Sequence, residues 1–186
     1  MKKLVLLTVA VALFVGFSAN GQSKLVSSKS HIKFFSSTPA EDIQANNTTA
    51  VSTINPATGE IVFSVPMQGF EFEKALMQKH FNSEDFLNTK EFPKAKLTGK
   101  ITNIDKVNFS ADGTYNAHVE GELTIKGVTK PVHEMGKITV TGGKVDASSK
   151  FNVTLADYGI TFVKGKPSTN IAKTVEVTLQ AEYAAQ

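Results

Sequence analysis

Residues 114–125 read Thr-Tyr-Asn-Ala-His-Val-Glu-Gly-Glu-Leu-Thr-Ile. Tyr115, Ala117, Val119, Gly121, Leu123 and Ile125 fall on one side of an extended chain, and Thr114, Asn116, His118, Glu120, Glu122 and Thr124 on the other. A strict period of two with one wet face is the signature of an antiparallel strand. Working outward, the same alternation recurs. Ile32, Phe34 and Ser36 form one such face, Ile61, Phe63 and Val65 another, and Ala95, Leu97, Gly99 and Ile101 a third. Val145, Ala147, Ser149, Phe151, Val153 and Leu155 share a face, as do Ile171, Val175, Val177, Leu179, Ala181 and Tyr183. Pro56-Ala57-Thr58-Gly59, Asp112-Gly113 and Gly142-Gly143 lie between these runs and are expected to be hairpin turns. Residues 72–92 lack alternation, and Ser83 followed by Glu84-Asp85 predicts the start of a short helix there.

About eight strands in one chain make a sandwich or a barrel. A twelve-residue strand spans roughly 40 Å, longer than most strands, and long tilted strands suit closure. The fold expected is therefore all-β: an antiparallel barrel of about eight strands with a short helical insert. Barrels of that size are filled by side chains or hold one small ligand. Small residues on the inward face (Ala95, Gly99, Ala117, Gly121, Gly136, Ala147, Ser149) favour unfilled volume; a tapered core that packs small against large is the alternative. The outward lysines, glutamates and threonines are wrong for a lipid-facing outer-membrane barrel.

The amino terminus carries an address. Met1-Lys2-Lys3 precedes an apolar run over residues 4–17 and then Ser18-Ala19-Asn20-Gly21-Gln22. This is the layout of a signal peptide, with small Ala19 and Gly21 three and one residues before a cut after Gly21. The run is shorter than the roughly 20 residues of a membrane span. Residues 1–21 are thus expected to be the leader and 22–186 the mature domain, periplasmic or secreted and without a membrane span after cleavage.

Composition excludes several chemistries. The chain has 186 residues, no cysteine and a formal charge of +3, two units of which lie in the leader. All 20 basic residues are lysine, so the bidentate arginine fork used on phosphate and guanine is missing, and no nucleic-acid partner is expected. There is no P-loop, no Gly-x-Ser-x-Gly elbow and no His-Glu-x-x-His. The four histidines are scattered singly, and neither a metal nor a cofactor is expected. Asn47-Thr48-Thr49 matches a glycosylation acceptor, a pattern common by chance. The sequence leaves open whether the chain forms a homodimer.

Three segments resemble the YceI-like family of secreted bacterial proteins. His80-Phe81-Asn82-Ser83-Glu84-Asp85-Phe86-Leu87-Asn88 with Phe92-Pro93 is similar to its H-L-x-S-x-D-F-F-D…Y-P stretch. Gly121-Glu122-Leu123-Thr124-Ile125-Lys126-Gly127-Val128-Thr129-Lys130-Pro131-Val132 is similar to G-x-L-T-I-x-G-V-T-K-P-V, and Asp157-Tyr158-Gly159-Ile160 to D-F-G-I. The resemblance implies a lipocalin-like barrel whose apolar pore holds a long polyisoprenoid or other amphiphilic lipid. The chain departs from the pattern where the family often carries arginine: Leu155 occupies one such place, and Met77-Gln78 stand where Arg-Asp is usual. His80, Asp157 and the Thr124–Pro131 turn remain at the expected mouth. From the residues themselves, Phe34, Phe63, Leu97, Ile101, Leu123, Phe151 and Val153 are inward and apolar enough to line a tail site, although each also fits a plain core. Each buried CH₂ contributes about 0.8 kcal/mol, so a chain of several isoprene units needs no polar anchor. Two other readings stand beside the carrier: a solid-barrel adaptor using Phe35, Pro131 and Met135, and a lipid hydrolase or isomerase using His80 with Asp85 or Asp157.

Overall fold

The computed structural model describes residues 24–39, 41–161 and 172–184; residues 1–21, the expected leader, and Ile171 lie outside them. The elements are β1 (Leu25–Ser37), β2 (Asp42–Asn47), β3 (Val51–Ile54), β4 (Glu60–Pro66), β5 (Phe70–Phe72), α1 (Ala75–Asn82), β6 (Lys94–Ile101), β7 (Gly113–Ile125), β8 (Val128–Thr141), β9 (Lys144–Thr154) and β10 (Thr174–Ala184). Eight strands close into an antiparallel ring in the order β1-β3-β4-β6-β7-β8-β9-β10, with β10 returning to β1. The expected all-β barrel with one short helix is what forms.

The remaining two strands make a wing. β1 pairs β3 only at Leu25 and Val26, and its other end, from Ile32 to Ser37, pairs β2. β2 then pairs β5. In effect β2–β3 and β4–β5 are two halves of one long hairpin, broken at residues 48–50 and 67–69. Asn47 is the pivot. It is fully buried, donates Nδ2 to Pro66 O at 2.7 Å, and accepts from the Thr49 N–H at 2.8 Å. A buried amide bonded in this way holds the break shut and is no glycosylation acceptor.

The interior has two unlike ends. At one, Ile54, Ile101, Val140, Ala117, Ile138 and Tyr183 are each at most 3% exposed, so the barrel is plugged. Gly142 and Gly143, both at positive φ, turn β8 into β9 there, as the sequence implied. Asp112-Gly113 does not make a tight hairpin. The connection from β6 to β7 spans residues 102–112 with a 3₁₀ turn at Ile104–Lys106, and Asp112 instead accepts from the Gly142 N–H at 2.9 Å, tying two loops together.

Two further sequence expectations need correction. Ser83 ends α1 rather than starting it. Its N–H and hydroxyl both donate to His80 O, at 3.1 and 2.7 Å, and its backbone is extended. The helix falls earlier because Phe81 must reach the phenylalanines of β1 and β5. The second correction concerns Gly99 and Gly121, which face each other across β6 and β7. They do not leave volume in the barrel. A Cβ on Gly121 would stand 2.6 Å from Gly99 Cα, and one on Gly99 2.6 Å from Glu120 O. The two backbones approach too closely for any side chain, as strong local coiling of a barrel wall requires.

Gly121→Ala is expected to lower stability by about 3 kcal/mol, the upper range for overpacking, because the atoms it meets are backbone and have little freedom to move; urea denaturation measures this. A second expectation concerns alkaline pH. The Tyr183 hydroxyl meets Ser52 Oγ at 2.6 Å in the plugged end, and burial pushes its phenol up to about 12 against the opposing pull of the Ser52 bond. The unfolded chain releases this proton near pH 10 and the folded chain keeps it. Stability is therefore complete below about pH 10 and falls by about 3 kcal/mol as pH rises through about 12. Tyr183→Phe should remove that part of the alkaline slope in urea midpoints taken at about pH 9 and pH 11.5.

Candidate functional site

The ring encloses a cavity of about 710 Å³. Protein cores contain few voids larger than a water, so this is a built space, of the size of small-molecule sites. Every strand of the ring reaches it. Phe34 comes from β1, Phe63 from β4, Leu97 and Ile101 from β6, Leu123 from β7, and Phe151 and Val153 from β9. Ala95, Ala117, Gly136, Ala147 and Ser149 also line it, so the expectation of unfilled volume holds at these small positions. Ile101 sits at the plugged end at 1% exposure. Leu97, Leu123, Phe151 and Phe34 are half-buried toward the other end, which is therefore the mouth.

The mouth is built from the insert and the long turns. Six phenylalanine contacts form its aromatic wall. Phe81 of α1 stacks on Phe34 at 5.6 Å, meets Phe70 at 5.5 Å and Phe72 at 5.0 Å, and reaches Phe86 at 6.2 Å. Phe34 also touches Phe70 and Phe72, at 5.4 and 5.6 Å. Offset and edge contacts of this kind add about 0.5–1.5 kcal/mol per pair beyond burial, and they hold the wing, the helix and β1 together. The sequence signal for this was available in the density of phenylalanine within the insert. The β7–β8 turn has Lys126 and Gly127 both at positive φ, a tight hairpin as expected. Gly127 lies against Phe92, where a Cβ would come within 2.8 Å of the ring.

His80 lines the mouth side of the cavity from α1. Asp157 does not line it. It is exposed on a 3₁₀ turn, Leu155–Tyr158, that packs on β8. Its neighbour Tyr158 is buried, and burial, then the Asp157 and Glu134 charges, raise the Tyr158 phenol. Leu155 lines the cavity, so the place where the family pattern often has arginine is apolar wall. The three members of the expected adaptor patch do not form one surface. Pro131 and Met135 are exposed on the outer face of β8, but Phe35 belongs to β1, with β9 and β10 between them.

One feature of the wall has no counterpart in the alternation of residues 144–155. β8 and β9 pair only from Thr141/Lys144 to Gly136/Ser149. Beyond that rung β8 runs on to Val128 and β9 to Thr154 without pairing each other, so the wall forks. Ser149 Oγ donates to Met135 O at 2.7 Å and seals the base of the fork. Pro131 lies on the unpaired stretch, where its missing N–H leaves no β8–β9 bond unmade. Glu134 stands just beyond the fork's base. It is opposite Val119, which is opposite Ile101, so its place in the pleat is inward, and it lines the cavity.

The family model described as the YceI-like domain matches residues 19–183. A UPF0312 protein of Yersinia enterocolitica is 32% identical over 123 residues, 63% of this chain and 60% of its own. Protein YceI of Escherichia coli is 33% identical over 88 residues, 47% of this chain and 42% of its own. The chain thus spans about half the length of these curated relatives. Among solved structures, a polyisoprenoid binding domain from Saccharophagus degradans implicated in plant cell wall breakdown superposes with a TM-score of 0.73 at 13% identity, over 88% of this chain and 98% of that one. BcnA of Burkholderia cenocepacia gives 0.67 at 15% identity, over 82% and 95%. The family match over almost the whole chain, together with an eight-stranded ring of the same architecture, places the protein: it belongs to the YceI-like family.

Proposed function

We propose that the protein is a non-enzymatic carrier that holds a long apolar amphiphile, of the polyisoprenoid type, in the barrel cavity. The observation that carries this reading is the cavity itself: about 710 Å³ walled by Phe34, Phe63, Leu97, Ile101, Leu123, Phe151 and Val153. Apolar surface offered to an apolar chain contributes about 25 cal/mol per Å² removed from water, less the cost of ordering a flexible chain. A branched unsaturated chain suits a wall of aromatic and β-branched residues. The Saccharophagus degradans domain with the same architecture is described as polyisoprenoid binding, and that supports the same ligand class here.

The test is native mass spectrometry of the protein expressed with its leader in a bacterial envelope, followed by organic extraction. A bound mass of several hundred daltons that moves to the organic layer is expected. An apo mass that persists after addition of prenyl lipids would overturn the carrier reading. Leu123→Lys, which places an ammonium in the half-buried part of the wall, should weaken prenyl binding by about tenfold or more, since the charge must be desolvated or the chain displaced.

We further propose that the chain is exported and cut after Gly21, to act in the periplasm or outside the cell. The basic start, the apolar run and the small residues Ala19 and Gly21 support it. Amino-terminal sequencing of the envelope-expressed protein should begin at Gln22; a chain beginning at Met1 would refute export by this leader.

A further inference from the structure

Glu134 is where the polarity of the cavity changes. Five titratable side chains border the space: His80, Asp85, Lys96, Glu134 and Lys137. His80 and Asp85 belong to the insert at the mouth. Lys96 and Lys137 alternate with inward Ala95, Leu97, Gly136 and Ile138, so their places in the pleat are outward. Glu134 alone among the strand residues of this set has an inward place. Its strand neighbours on that face are Val132 and Gly136, and across the ladder stands Val119. Among the described residues it makes no hydrogen bond and no ion pair. His133, next in the chain, points to the outer face and pairs with Glu120 at 3.7 Å. Burial raises the Glu134 carboxyl, with His133 pulling weakly the other way.

Glu134 is only half-buried, so its carboxylate is hydrated when the cavity holds no ligand. An apolar chain that fills the cavity removes that water. Burying a carboxylate with no partner is among the most costly events in a protein interior. A polar group of the ligand at Glu134 avoids that cost, and an anion is the worst candidate: no arginine exists in the chain, and the lysine that shares its inward parity, Lys130, stands two inward places away opposite Leu123, is exposed, and does not border the cavity.

We propose, building on the carrier reading, that the cavity selects an amphiphile whose polar end is a non-anionic hydrogen-bond donor, a hydroxyl in the simplest case, seated at Glu134 in the β8–β9 fork, and that it rejects chains ending in phosphate. Such a donor gives the carboxylate a charge-assisted bond, whereas a phosphate meets like charge at short range.

The experiment compares three probes of one chain length by fluorescence competition or native mass spectrometry: geranylgeraniol, its methyl ether, and geranylgeranyl monophosphate. Wild-type protein should bind the alcohol about tenfold or more tighter than either of the others, the range for a hydrogen bond to a charged group. Glu134→Gln should shrink the penalty on the phosphate, and Glu134→Leu should abolish the preference for alcohol over ether. The ligand-free Glu134→Leu protein should melt no lower than wild type, because an unpaired inward carboxylate is being replaced by an apolar group; that result shows the variant is folded. Equal binding of phosphate and alcohol by wild type, or a selectivity unchanged in Glu134→Leu, overturns the head-group assignment while the bound chains keep the carrier reading. Binding of none of the three overturns both.

Discussion

Without the ladder from Val26–Ala184 to Phe35–Glu176 between β1 and β10, the molecule would be a twisted ribbon with two bare edges and one wet apolar face. Closure removes those edges and makes the inward parity of each strand into an interior. It also fixes the geometry of what can be inside. A ring of eight strands leaves room for side chains or for one slender ligand, and the choice between them is made residue by residue along the inner face. Large side chains converge at the end where Ile54, Ile101, Val140 and Tyr183 meet. Alanine, glycine and serine occupy the middle, and there the volume is left open.

The departures from a regular barrel all lie toward the other end. The β1 edge is shared between β3 and β2, so the sheet splits and the wing swings away with Asn47 holding the break. β4 and β6 end their pairing at Pro66 and Lys94, β5 turns away to pair β2, and α1 with its phenylalanine cluster covers the space. On the far side β8 and β9 separate beyond Gly136 and Ser149. These are the two usual ways to open a barrel without exposing hydrogen-bonding edges to another chain. One gap is covered by a helix. The other is narrowed by a serine, a proline and the Leu155–Tyr158 turn.

Much of this was legible in the sequence because alternation is local. Each inward set could be read from its own residues, and eight of the nine residues expected at the site do border one cavity; Asp157 does not. What could not be read are events set by partners far away in the chain. The end of α1 at Ser83 depends on where Phe81 finds Phe34 and Phe72. The role of Gly99 and Gly121 depends on their facing each other across 22 positions of sequence, which a single strand does not announce. Asn47 looks like a modification signal until Pro66 is seen to accept its amide. Glu134 shares parity with Val132, Gly136, Ile138 and Val140, and that alternation was the available clue. Its meaning came only from the fork, a property of pairing rather than of residue type.

The size of the cavity decides what can occupy it. Cavities left by core truncations cost about 24 cal/mol per Å³. On that scale about 710 Å³ of dry void would cost about 17 kcal/mol, more than the whole net stability of an ordinary domain. The space therefore cannot stand empty and dry. Open at the mouth, it admits water, yet a buried water needs two to four polar partners to be well held, and most of this wall is phenylalanine, leucine, isoleucine and valine. Such water is easily displaced by an apolar chain. Around Glu134 and Ser149 the balance reverses, since there water has partners that a hydrocarbon cannot replace. The same barrel thus favours dehydration along most of its length and hydration or a polar group at one place, and that asymmetry, rather than tightness of fit, is what gives a slender ligand an orientation.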